Sequence, residues 1–127
     1  MKIFNARVHR ALDYATVVIL LLTPLVAGLG GIVALLLILL AVVHLVLTLV
    51  TRYPFGTTGL ISFWLHGLLE LVVAVALVSA PFLIGFGPGT PARRAYVALA
   101  GLIFLVWLLT DYGARSAADK RGEIRNG

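Results

Sequence analysis

The chain has 127 residues, 61% of them hydrophobic and 12% charged, against roughly half and a quarter in soluble domains, so too little polar sequence remains to coat a soluble core. It has no cysteine, which excludes disulfides, thiolate metal sites, iron–sulfur clusters and cysteine nucleophiles. The net charge of +5 gathers at the ends of apolar runs, as it does where charge sets membrane orientation; the expected partner is the lipid bilayer and not nucleic acid.

A short basic lead, residues 1–8, precedes a first apolar span from about His9 to Ala27. A basic start before an apolar run also fits a signal peptide, but the same motif recurs inside the chain and favours a retained span. Pro24 removes an N–H and crowds the carbonyl of Leu20, so a kink is expected there. Gly28-Leu29-Gly30-Gly31 makes a tight connection. The second span, about Ile32 to Val50, is aliphatic except for His44 and Thr48, which share one helical face with Thr51 at i, i+4 and i+7. Arg52-Tyr53-Pro54 stops it, and the segment 55–62 is too short to cross and is expected at the interface. The third span runs from about Phe63 to Leu83, with Pro81 near its end, and a Gly/Pro-rich linker, residues 85–91, follows. The fourth, about Arg94 to Leu109, carries Ala95, Ala98 and Gly101, small enough to let another helix approach closely. The tail, residues 113–127, is polar and reads as a frayed helix end or a disordered segment.

His9, Leu12, Asp13, Pro24 and Gly28 are followed 57 residues later by His66, Leu69, Glu70, Pro81 and Gly85. Thr51-Arg52-Tyr53 resembles Thr110-Asp111-Tyr112 at an offset of 59, a slip that the longer second linker absorbs. The expected architecture is therefore all-α: one integral membrane four-helix bundle over residues 1–127, built from a helical hairpin used twice, with repeat 1 at about 9–53 and repeat 2 at about 66–112. Lys2, Arg7, Arg10, Arg52, Arg115, Lys120, Arg121 and Arg125 fall on one side, and only Arg93 and Arg94 on the other. The positive-inside rule puts both termini in the cytoplasm, with Tyr14, Tyr53, Phe63, Trp64, Trp107 and Tyr112 as an aromatic belt at the inner interface.

The duplicated hairpin, with a short proline motif late in its first helix, resembles the SPW-repeat family of small bacterial membrane proteins. The family's Ser-Pro-Trp stands here as Thr23-Pro24-Leu25 and Ala80-Pro81-Phe82. The resemblance covers most of the chain. It implies a tandem-hairpin fold in a bacterial inner membrane and brings no catalytic residues.

Five residues can carry chemistry: His9 with Asp13, His66 with Glu70, each pair at i, i+4, and His44. At about 1.5 Å per residue, His44 is about 12 Å deep if Arg52 marks the interface, and in a bundle the five can converge. Ionisable groups inside a span are costly and mark ion paths, relays or ligand sites. The bland reading makes Asp13 and Glu70 complements to the positive ends of their helices, pairs them with Arg7, Arg10 or Arg52, and hydrogen-bonds His44 to Thr48 or a neighbouring helix. No Ser-His-Asp set, His-Glu-x-x-His or Walker motif is present, and no enzyme is expected. The first functional expectation is a non-enzymatic scaffold or accessory module acting as a homo-oligomer or with another membrane protein. The alternatives are a haem-, divalent metal- or quinone-binding protein using the His/carboxylate cluster, and a small oligomeric transporter or ion or proton channel.

Overall fold

The computed structural model describes residues 2–55, 57–113 and 125. The polar tail after Gly113 lies outside the described residues, apart from Arg125. Four helices follow in order: α1 (Ala6–Ala27), α2 (Gly31–Val50), α3 (Phe63–Ile84) and α4 (Pro91–Leu109). Each is long and apolar enough to cross a membrane, and the chain is an integral membrane protein. α1 packs on α2, α3 on α4, and α1 also on α4, which makes the expected four-helix bundle.

Local sequence sets the helix ends. The side chain of Asn5 accepts a hydrogen bond from the Val8 N–H at 3.0 Å, and Ser62 does the same for Leu65 at 3.1 Å. Both satisfy N–H groups that a helix start leaves free. α1 therefore begins at Ala6, ahead of the expected His9. α1 and α3 end alike: Gly28 (φ 65°) and Gly85 (φ 86°) adopt the left-handed conformation and donate to the carbonyls of Pro24 and Pro81. A side chain at either glycine would be strained. Thr90 caps α4, with Pro91 at its first position, where the missing N–H costs nothing.

Short backbone pairings tie helix starts to helix ends. Two-residue strands β1 (Thr51–Arg52) and β2 (Ile61–Ser62) run parallel, placing the start of α3 beside the end of α2. A matching bridge joins Phe4 to Thr110, with the Phe4 carbonyl accepting from the Asp111 N–H at 3.0 Å, and sets the start of α1 beside the end of α4. Residues 57–62 thus return to the end of α2, with Ile61–Ser62 as the strand. Gly59 makes that return possible, since a Cβ there would lie 2.5 Å from the Val50 carbonyl oxygen.

The interior is layered. An apolar layer holds Val17, Leu20, Leu37, Ala41, Ala74, Leu77, Tyr96, Leu99, Ala100 and Ile103. Next come the buried polar side chains, and an aromatic roof of Tyr53, Phe63 and Tyr112 stands over them with Ala6 and Phe55. Much of the outer surface is aliphatic, including Leu25, Val26, Leu49 and Leu83, as lipid contact requires. Two sequence expectations are corrected. Ala98 and Gly101 face outward, and the small residues that let helices approach are Ala41, Ala74 and Ala100, buried in the core. Tyr53 and Phe63 are buried and roof the polar layer instead of joining an interfacial belt.

Candidate functional site

The pairings at the helix ends decide what meets beneath the roof. His9 and Asp13 lie about one turn apart on α1, and both face inward; His66 and Glu70 do the same on α3. His44 and Thr48 face inward from α2. All five candidate residues are buried, His9 and His66 with 0% exposure, and the structure brings all five together. Asp13 and Glu70 are each the eighth residue of their helix. That is beyond the first turn, where the helix dipole acts, so dipole complementarity does not account for them.

The two imidazoles are held in the same way. His9 Nδ1 lies 2.8 Å from Thr110 Oγ1, whose own proton goes to the Val106 carbonyl at 2.6 Å. His66 Nδ1 lies 2.7 Å from Thr51 Oγ1, whose proton goes to the Leu47 carbonyl at 2.5 Å. A hydroxyl has one hydrogen, so each threonine accepts from its histidine and each histidine carries its proton on Nδ1. Both Nε2 atoms are left facing the centre. They are 3.4 Å apart. His9 Nε2 is 3.1 Å from Asp13 Oδ1 and 3.2 Å from Glu70 Oε2; His66 Nε2 is 3.1 Å from Asp13 Oδ2 and 3.7 Å from Glu70 Oε1.

The carboxylates are also oriented from outside the centre. The Tyr53 hydroxyl donates to Asp13 Oδ2 at 3.3 Å, and the Tyr112 hydroxyl donates to Glu70 Oε2. Among the described residues, every ion-pair partner of Asp13 and Glu70 is a histidine. Of the expected arginine partners Arg7, Arg10 and Arg52, the first two are engaged elsewhere: they stand 4.8 and 5.1 Å from the centre of the Phe55 ring. Sequence reasoning missed Thr51, Thr110, Tyr53 and Tyr112 as parts of the site. The recurring Thr-x-Tyr at offset 59 was the signal that could have found them.

Burial, followed by the charge of Asp13, pushes the Tyr53 phenol above the usual tyrosine range; burial, followed by the charge of Glu70, does the same to Tyr112. A phenol held neutral in the fold contributes stability below its unfolded value of about 10, and that contribution is lost as pH rises beyond it. Titration followed at 295 nm is expected to show a late ionisation step well above pH 10, reduced in the Tyr53→Phe, Tyr112→Phe double variant.

Gly67 lets Tyr112 lie against α3, because a Cβ there would meet the Tyr112 ring at 2.7 Å. Gly67→Ala is expected to push the ring off Glu70 and to cost about 1–3 kcal/mol, as overpacking does; a chemical melt of the purified variant measures it. Outside Tyr112 lies a 360 Å³ cavity lined by Lys2, Trp64, Trp107 and Asp111, among others.

His9, Asp13, His66 and Glu70 each offer a donor atom, all within 4.8 Å of one another. One ion bound at about 2.0–2.1 Å by nitrogen and oxygen separates tetrahedral ligands by roughly 3.4 Å. The histidine–carboxylate and histidine–histidine spacings of 3.1 to 3.7 Å lie around that value, within a set that spreads to 4.8 Å. The threonines supply the second hydrogen bond that metal-bound histidines characteristically make through the other ring nitrogen. A haem does not fit between His9 and His66, whose Nε2 atoms are 3.4 Å apart with both carboxylates against them. No protein-family model, curated protein or solved structure matches the chain. The class of protein is thus defined by the molecule itself: a four-helix membrane bundle with a buried His/carboxylate cluster.

Proposed function

We propose that this protein binds a divalent transition metal ion inside the membrane, through His9, Asp13, His66 and Glu70. The observation that carries the reading is the orientation of the two imidazoles. Their Nδ1 protons are committed to Thr110 and Thr51, so two Nε2 atoms and two carboxylates converge with no fixed donor among them. Such a set needs positive charge at its centre, from protons on Nε2 or from a cation. Protons on Nε2 would serve in part, but each faces both carboxylates at 3.1 to 3.7 Å, longer than the roughly 2.7–2.9 Å of a charge-assisted hydrogen bond. One divalent ion reaches all four groups and balances both negative charges. A pure scaffold has no use for this arrangement, since burying ionisable groups is costly.

The site lies near the ends of the chain's helices that carry most Lys and Arg. The charge asymmetry supports cytoplasmic termini in a bacterial inner membrane, and the matching bonds at offsets of 57 and 59 support descent from a duplicated hairpin of the SPW-repeat kind.

The test is elemental analysis and Co²⁺ titration of the detergent-purified chain. One ion per chain is expected, with affinity falling as pH falls because protons compete for Nε2. Protein that folds yet takes up no Zn²⁺, Co²⁺, Mn²⁺ or Fe²⁺ at neutral pH would sink the reading.

A further inference from the structure

His44 is the one member of the cluster that the four-ligand site does not use. It is 2% exposed, and neither ring nitrogen has a hydrogen-bond partner among the described residues. The expected bond to Thr48 does not form; the Thr48 hydroxyl donates to the backbone carbonyl of His44 itself at 2.9 Å. Leaving a buried polar group unpaired costs about 1–3 kcal/mol, so such a group calls for an explanation.

The fold does not supply one. His44 lies seven residues before Thr51, and Ile103 occupies the corresponding place seven residues before Thr110. Ile103 is 2% exposed and packs in the apolar layer. A helix at this position of the bundle is therefore served by an aliphatic side chain. What distinguishes His44 is where it points. Its Nε2 lies 3.6 Å from Asp13 Oδ1 and 3.9 Å from Glu70 Oε1. Those distances are too long for hydrogen bonds but match the roughly 3–4 Å between ligands that share one ion at about 2.1 Å.

We propose that His44 is a fifth ligand, so that the centre binds its ion through three imidazoles and two carboxylates. This rests on the metal-binding reading above and narrows it. Three nitrogen donors select first-row ions such as Mn²⁺, Fe²⁺, Co²⁺ and Zn²⁺ against Mg²⁺ and Ca²⁺, which take oxygen ligands. The five-donor set also sets this centre apart from a closed tetrahedral zinc site.

Co²⁺ titration of the full chain in detergent, wild type against His44→Ile, tests it. The substitution copies the residue at the corresponding place on α4. The wild type is expected to show the weak visible bands of five-coordinate cobalt. His44→Ile is expected to bind at least about tenfold more weakly, the lower end of what losing even an outer partner of a ligand costs, and to show the stronger bands of four-coordinate cobalt. An unchanged spectrum and affinity would overturn the role of His44 while leaving the four-ligand site standing. Should His44→Ile fail to fold, pulsed EPR of Cu²⁺-loaded wild type counts the coordinated imidazoles: three support the proposal and two overturn it. Wild-type protein that binds neither Co²⁺ nor Cu²⁺ removes both readings together. A hundredfold excess of Mg²⁺ is expected to leave the cobalt spectrum intact, and displacement by Mg²⁺ would overturn the selectivity.

Discussion

The double variant Asp13→Asn, Glu70→Gln is expected to lose divalent-ion binding, with affinity falling by more than about 100-fold. Losing one outer partner of a ligand costs about 10- to 100-fold, and here two ligands and the whole negative charge of the centre go at once. Amide oxygens keep the shape, and the Tyr53 and Tyr112 hydroxyls still have acceptors to bond. The variant is therefore expected to remain a folded bundle, and loss of binding reads on the site and not on the fold. A thermal melt separates the two proteins further. An ion at 1,000 times its Kd stabilises the form that binds it by about 4 kcal/mol. Wild type should gain that much on addition of Co²⁺ and the double variant nothing; an equal gain in both would place the ion elsewhere.

The second large effect has the opposite origin. His66→Leu, measured with chelator present, is expected to destabilise the bundle by about 3–5 kcal/mol, the cost of leaving one side of a buried ionic group without its partner. Asp13 loses a neighbour at 3.1 Å, and Thr51 loses the imidazole it holds. His9→Leu should behave alike, because it is held by Thr110 in the same way. Combining His66→Leu with Asp13→Asn and Glu70→Gln should recover most of the loss, since no charge is then left stranded. Equal stability of single and triple variants would mean that packing, and not charge, is what His66 contributes.

The four helices and the convergence of His9, Asp13, His44, His66 and Glu70 were legible in the sequence. Apolar runs of about 20 residues have few alternatives, and polar groups in such runs turn inward. What stayed hidden has two physical causes. An aliphatic span has little contrast between its faces, so nothing in Ala98 or Gly101 showed that they point to lipid while Ala100 points to the core. Residues just beyond a span read as interfacial whatever they do. Tyr53 and Phe63 therefore passed as belt aromatics, although the two-residue strands fold them over the polar layer. Arg7 and Arg10 were poor candidates for the carboxylates for the same reason: Phe55 draws both guanidinium groups outward.

The crossed pattern of threonine bonds bears on how the protein is made. Thr51 belongs to the first hairpin yet orients His66 of the second, and Thr110 of the second orients His9 of the first. During synthesis α1 and α2 leave the ribosome first, carrying Asp13 and a free-turning His9 into the bilayer with no counterpart from α3. The two halves become correct together or not at all. The polar layer is thus complete only once the second hairpin has packed against the first.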